Sequence, residues 1–342
     1  MDTLALWLAN PLVIEGLPLI FATLMGIAIL TYVVLDGYDL GVGILFPLAR
    51  DKDEKDILMG SIGPFWDANE TWLVLAVGLL LVAFPLAHGV ILTALYVPVF
   101  LMLLGLIFRG VAFEFRAKAK EPHQQYWNWA FFGGSLLTAL AQGYMLGNYV
   151  LGLQHGAVAT LFGVVIGLCL AAAYALIGAC WLMMKTDGTL QKKALQWAKE
   201  ALSYTALGMV AVSMITPLAS PRIWEKWFSV PDVFYLAPLP LLSALLFARL
   251  WQLLRQPRVL KDAVWQPFAS VVGLMLLGFV GLAYSFFPYV VPDQLTIWQA
   301  ASATGSLALM LVGALLVLPV MFGYTFFVYK IFHGKATGLS YH

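Results

Sequence analysis

Apolar runs long enough to cross a lipid bilayer recur from one end of this sequence to the other, and no other feature narrows the fold as sharply. A span needs about 20 mostly apolar residues. Nine segments reach that length: 17–41, 66–87, 90–113, 127–151, 156–184, 201–220, 233–253, 264–289 and 300–331. Lipid offers backbone groups no hydrogen-bond partner, so helices satisfy their own. The runs are too long and continuous for barrel strands, which alternate polar and apolar residues. The expectation is an all-α integral membrane protein with about nine transmembrane helices in bundles. Pro231, Pro238 and Pro240 crowd the start of the seventh segment, which is predicted to be kinked or broken there.

Composition agrees. Of 342 residues, 62% are hydrophobic and 11% charged, against roughly 25% charged in a soluble domain. Length alone would suggest two soluble domains; the hydropathy overrides that. The 14% aromatic content, with 12 Trp, suits interfacial belts and packed helices. A net charge of +1 implies no nucleic-acid partner. No linker, low-complexity tract or internal repeat divides the chain, so 1–342 reads as one polytopic membrane domain. The segment 185–200 reads as its longest polar loop, with a helical look. Residues 1 to 16 contain no Lys or Arg, so the basic start of a cleavable signal peptide is missing and the first helix is expected to stay as an anchor.

Basic residues set the orientation. Arg50, Lys52 and Lys55 follow the first span. Arg109, Arg116, Lys118 and Lys120 follow the third, and Lys185, Lys192, Lys193 and Lys199 the fifth. Arg249, Arg255, Arg258 and Lys261 follow the seventh, and Lys330 and Lys335 end the chain. With nine spans all of these fall on one side, and only Arg222 and Lys226 on the other. The positive-inside rule then places the N-terminus outside and the C-terminus in the cytoplasm.

Ionisable groups inside spans are costly and usually have a role. Asp36-Gly37-Tyr38-Asp39-Leu40-Gly41-Val42-Gly43 is the densest cluster. Asp36 and Asp39 are three apart and share a helix face. Gly37 and Gly41 form a GxxxG that admits a second helix closely. The plain alternative is that both aspartates end the helix at the headgroups. The second cluster is Trp66-Asp67-Ala68-Asn69-Glu70-Thr71-Trp72. Asp67 and Glu70 share a face near a helix start, where capping through the macrodipole is the plain alternative. Two acid pairs at one membrane depth favour the entrance of a proton relay. Arg109 is either snorkelling to the headgroups or a counter-ion for these acids. Ser135, Thr138, Gln142 and Asn148 give the fourth span a sparse polar set, read first as helix–helix hydrogen bonds.

Other chemistry is thin. His88 and His155 fall in external loops, and His123, His333 and His342 on the cytoplasmic side. A bis-His haem site needs two imidazoles facing each other inside the bundle, so none is expected here. Methionines without a His partner are read as packing. Cys169 and Cys180 are eleven residues apart in one span, about 16 Å of helix rise, too far for a disulfide and outside any CxxC metal pattern. There is no Walker A loop, dinucleotide fingerprint or plausible triad. The residues alone suggest a proton-handling subunit without its own redox centre, or a transporter.

Leu35 to Gly43, followed by Trp66 to Trp72, resembles subunit II of cytochrome bd-type quinol oxidases, closest to the shorter, cyanide-insensitive-type branch. The likeness continues through Phe108-Arg109-Gly110-Val111-Ala112-Phe113-Glu114-Phe115-Arg116, Gly133-Gly134-Ser135, Phe287-Pro288-Tyr289, Leu295-Thr296-Ile297-Trp298, and Tyr329 to Lys335. It covers essentially the whole chain. The resemblance implies a complex of the bacterial cytoplasmic (inner) membrane that oxidises a quinol and reduces O₂ to water in the aerobic respiratory chain. It implies a subunit I carrying the quinol site, two b-type haems and one d-type haem, in a pseudo-symmetric heterodimer with this chain. Subunit II would bind no haem or metal and hold no catalytic residue. Its acids would line a proton route from the cytoplasm, protonmotive force arising from separate uptake and release rather than pumping. Asp39, Asp67, Arg109 and Ser135 match positions discussed for that route, with Asp36 and Glu70 beside them. The resemblance also leaves room for a structurally bound quinone, lipid contacts and a small accessory subunit. One departure stands out: Gln299 occupies a position where the family often has an acid, on the side expected to be external.

Two other readings compete. A stand-alone proton-coupled secondary transporter would use the acids for ion coupling, but such proteins tend to show inverted repeats and paired broken helices. A purely structural partner would carry inert acids.

Overall fold

The computed structural model describes residues 10–120 and 122–336. His342 and most of the chain's non-basic start lie outside the described residues. Helix α1 (Pro11–Leu45) starts where the Asn10 side chain accepts from the Leu12 N–H, with Pro11 in the first turn. After a 3₁₀ turn at Phe46–Leu48, the short helix α2 (Lys52–Ile62) exposes Lys52 and Asp53 and buries Leu58, Met59 and Ile62. Helices α3 (Trp66–Ala83) and α4 (Pro85–Lys118) meet at Phe84, whose backbone leaves the helical region. Within α4, Leu95 departs from helical geometry just before Pro98, as a ring pressing on the preceding turn requires. Helices α5 (Gln124–Val150), α6 (Ala157–Lys185) and α7 (Gly188–Ala219) follow as long rods.

The remainder is more broken. Short helices α8 (Pro221–Phe228) and α9 (Asp232–Leu236) precede α10 (Pro238–Arg255). The predicted break among Pro231, Pro238 and Pro240 thus falls between α9 and α10. After α11 (Val259–Asp262) and α12 (Trp265–Phe286), a two-stranded antiparallel hairpin pairs β1 (Tyr289–Val291) with β2 (Leu295–Thr296), Tyr289 opposite Thr296. Helix α13 (Ile297–Ala300) and the long α14 (Thr304–Ile331) complete the chain.

Among the described residues, eight helical segments are long and apolar enough to cross a membrane. The ninth expected span, 127–151, lies in α5. That helix has 27 residues, about 40 Å of rise, but it carries Gln124, Gln125, Asn128, Ser135, Thr138, Gln142 and Asn148 and is too polar to qualify with the others. It can be polar because it is flanked by α4 and α6, which shield it. Three other expectations need correction. The polar stretch 185–200 is no loop: from Gly188 onward it is the first half of α7. Arg109 does not end its helix, because α4 runs on to Lys118. His88 lies in the first turn of α4, not in a loop.

Missing side chains let the central helices touch. A Cβ on Gly41 would sit 1.8 Å from the Tyr174 carbonyl oxygen, so α1 and α6 meet backbone to backbone. The predicted close partner of the GxxxG is therefore α6. One end of the bundle gathers the basic loops. Arg116 pairs with Asp56 at 2.6 Å and donates to Asn128, tying α4 to α2 and α5. Lys193 pairs with Glu54 at 2.5 Å, tying α7 to α2. Beneath them lies the largest apolar cluster, where Tyr38 stacks on Trp181 with centroids 4.1 Å apart. At the other end Arg222 pairs with Asp293 at 2.8 Å, and Lys226 donates to the Phe287 carbonyl.

Candidate functional site

Every residue from Asp36 to Gly43 is buried. Their helix, α1, is wrapped by α6 on its glycine side and by α3 on another, so its two aspartates have no water to ionise into and depend on neighbouring side chains. Arg109 supplies the positive charge. Its side chain is 1% exposed, and Nη1 donates to Asp36 Oδ1 at 2.6 Å. Nη2 stands 4.0 Å from Asp39 Oδ2. Arg109 is thus a counter-ion, and snorkelling does not apply. A Cβ on Gly134 would lie 2.7 Å from the Arg109 backbone nitrogen, so α5 presses on α4 where the arginine is held. The Trp66 ring lies 5.8 Å from the guanidinium carbon, within cation–π range.

Asn69, in the first turn of α3, attends to the second aspartate. Its Nδ2 donates to Asp39 Oδ2 at 2.7 Å and to the Tyr38 hydroxyl at 2.8 Å. Tyr329 of α14 donates to Asn69 Oδ1 at 3.1 Å and meets the Tyr38 hydroxyl. With the amide nitrogen on Asp39, donor and acceptor rules fix the other directions. Tyr38 accepts from the amide, so its own proton goes to Tyr329, whose proton goes to the amide oxygen. The three side chains close a ring, and the ring points the amide N–H at Asp39.

Asp36 and Asp39 give two carboxyls to one buried guanidinium. Among the described residues Asp36 Oδ2, Asp39 Oδ1 and Arg109 Nε and Nη2 have no hydrogen-bond partner within the chain. Such a set is electrically neutral with one proton bound, and leaving a buried charge uncompensated is expensive. It can therefore hold and release a single proton. Glu70, one residue beyond Asn69, is half-buried and within electrostatic reach of Arg109 and Asp36, and Asp67 is exposed. The acids thus run from surface to interior, Asp67 to Glu70 to the Asp36–Asp39 pair.

Ser135 makes no hydrogen bond to this set. It is buried, but its hydroxyl donates to Phe131 of its own helix at 2.8 Å, and it packs where a Cβ on Gly43 would stand. Thr138 donates to Met102 of α4 at 3.4 Å, a helix–helix contact, whereas Asn148 bonds within its own helix. Gln142 joins three helices: it donates to Tyr32 at 2.6 Å and accepts from Tyr174 at 2.8 Å. Gln299 closes a capping box with Thr296, its Oε1 accepting the Thr296 N–H at 2.9 Å. An amide serves that role as well as an acid, which accounts for the departure at this position.

Sequence reasoning passed over Asn69, Tyr38 and Tyr329. The first two sit inside the acid motifs but do not ionise near neutrality. Tyr329 is 260 residues from its partner Asn69, and no local signal joins them.

A bundle of apolar helices enclosing a buried carboxylate–guanidinium set defines a polytopic membrane protein with a charged interior site. The chain matches the family of cytochrome bd terminal oxidase subunit II over residues 17–332 and belongs to it. It is 28% identical to cytochrome bd-I ubiquinol oxidase subunit 2 of Escherichia coli K12, covering 94% of this chain and 96% of that one. It is also 28% identical to cytochrome bd ubiquinol oxidase subunit 2 of Bacillus subtilis, covering 92% and 95%. The fold is similar to a chain in the structure of bd oxidase from Geobacillus thermodenitrificans, with a TM-score of 0.70, 17% identity, and coverage of 94% of this chain and all of that one. These likenesses lend nothing to the transporter alternative.

Proposed function

We propose that this chain is the haem-free partner of a subunit I in a bacterial cytoplasmic-membrane complex that oxidises quinol and reduces O₂. It would span the membrane nine times as one domain, N-terminus outside. The observation that carries its role is the buried set of Asp36, Asp39 and Arg109, which is neutral with one proton bound. Asp67 and Glu70 would lead protons from the cytoplasmic surface to Asp39, which passes them on toward the oxygen-reducing haem in the partner. The ubiquinol oxidase names of the relatives support quinol as electron donor. Haem ligation is assigned to the partner. In support, His88, His123, His155 and His333 lie at helix ends or in loops, where no two imidazoles can face each other inside the bundle. The basic loops drawn together at one end by the Arg116–Asp56 and Lys193–Glu54 pairs support the cytoplasmic assignment of that end.

The test is gentle detergent purification of the tagged chain, with a gel and a reduced-minus-oxidised absorbance spectrum. A second membrane subunit bearing b- and d-type haem bands is expected to co-purify. A colourless single chain from cells that make haem enzymes would contradict the reading.

A further inference from the structure

The last helix is held in an uneven way. Along α14 only Leu307 and Val328 are buried against the rest of the chain. Its C-terminal end, in contrast, is pinned to the turn between α6 and α7. Lys185 donates to the Phe332 carbonyl and, at 3.1 Å, to that of Gly334. The Ala336 N–H donates to the Lys185 carbonyl at 2.7 Å. Lys335 donates to the Thr186 carbonyl at 2.8 Å and pairs with Asp187 at 3.1 Å. Phe65 packs between Tyr329 and Phe332, at 4.6 and 6.2 Å. All of these contacts cluster within seven residues of Tyr329, the residue that completes the ring at Asn69.

We infer that Tyr329 is a positioning residue for proton transfer, and that the pinned C-terminal segment holds it in place. The inference rests on the reading of Asp39 as proton acceptor. An Asn amide can turn over, and either orientation fills the same space. The reversed ring would satisfy the same three groups, but only the orientation in which Tyr329 donates to Oδ1 aims the N–H at Asp39. Without that hydroxyl, the Tyr38 proton loses its acceptor and competes for Oδ1. The turned amide then sets its oxygen against the Asp39 carboxylate, which disfavours the proton-accepting form. Tyr329 therefore touches no reacting atom and acts through Asn69.

The experiment compares quinol-dependent oxygen consumption against pH in the intact complex. Tyr329→Phe is expected to leave yield and haem absorbance unchanged. It should move the acid limb of the profile upward by about one pH unit, which is about tenfold in rate on that limb. In an Asn69→Ala background the same substitution is expected to add less than about twofold, because the two residues act as one unit. Lys335→Met, which loosens the pin from outside the ring, should shift the limb in the same direction by a smaller amount. A Tyr329→Phe profile that superimposes on that of the unmodified complex overturns the inference, as do independent effects of Tyr329 and Asn69; a silent Lys335→Met overturns the part assigned to the pinned segment. Asp39→Asn separates the two layers. Normal turnover there removes the underlying reading, whereas slowed turnover with a silent Tyr329→Phe removes only the positioning role.

Discussion

Arg109 holds Asp36 at 2.6 Å and Asp39 at 4.0 Å, and that difference divides the work between two acids three residues apart. Asp36 is the arginine's direct counter-ion. Removing it deletes the hydrogen-bonded partner of a buried ion pair and leaves only Asp39, 4.0 Å away, to balance the guanidinium; breaking a buried pair costs up to about 3–5 kcal/mol. Asp36→Asn and Arg109→Gln are therefore expected to lower the thermal midpoint and yield of the complex. Asp39→Asn keeps the Asn69 contact as an amide pair, so the fold should survive while proton acceptance is lost. A thermal melt on each variant checks this, and a stable Asp36→Asn complex would contradict the assignment. Much of this site was legible in the sequence, because a carboxylate inside an apolar run is conspicuous. What sequence could not supply is the pairing. The Arg109–Asp36 bond and the Tyr329–Asn69 bond each join distant segments, and nothing local marks either one. Ser135 shows the reverse: a polar residue at a motif position whose hydroxyl is spent on its own helix.

At the scale of elements, close approach of helices sets the geometry. Gly41→Ala would drive a Cβ into the Tyr174 carbonyl, and neither backbone can yield without moving a helix. Loss of assembled complex is expected on a detergent gel. Gly16→Ala on the same helix, with nothing within 4 Å, should assemble normally. The Glu54–Lys193 pair between α2 and α7 gives a pH-dependent case outside the membrane. Burial alone would push the Glu54 carboxyl up, but Lys193 and the Arg50 N–H together outweigh it and hold the group below the ordinary carboxylate range. A lowered folded value means the stabilisation is fully present above about pH 4.3, the unfolded value. It is lost as pH falls through the folded value. With Lys193 one-third exposed, the effect should stay at or below about 1 kcal/mol. Lys193→Met should therefore lower the thermal midpoint slightly at pH 7, and its deficit should shrink as pH falls below about 4.3. The helices themselves were legible as apolar runs. Their ends were less so: α7 begins in a polar stretch that reads as loop, and α5 is polar because its neighbours hide it.

For the whole molecule, the charges divide by end. The Arg116–Asp56, Lys193–Glu54 and Lys335–Asp187 pairs lie at one end, and Arg222–Asp293 at the other. Under the proposed orientation, a cysteine placed at Ser229 is expected to react with a membrane-impermeant maleimide from outside intact cells. One placed at Lys192 should react only after permeabilisation. The reverse pattern would invert the protein and put the acids on the wrong side for cytoplasmic uptake. This sidedness was read from Lys and Arg positions alone, because charge bias between loops does not depend on how the helices pack.

The most direct test of the account is proton uptake by the complex in sealed vesicles during quinol-driven oxygen reduction, with and without Asp39→Asn. The account predicts haem spectra unchanged, turnover slowed at least about tenfold, the effect expected of a positioned proton-transfer group, and a matching loss of proton uptake from the cytoplasmic side. Turnover and uptake equal to those of the unmodified complex would contradict it and leave the buried acids a structural role alone.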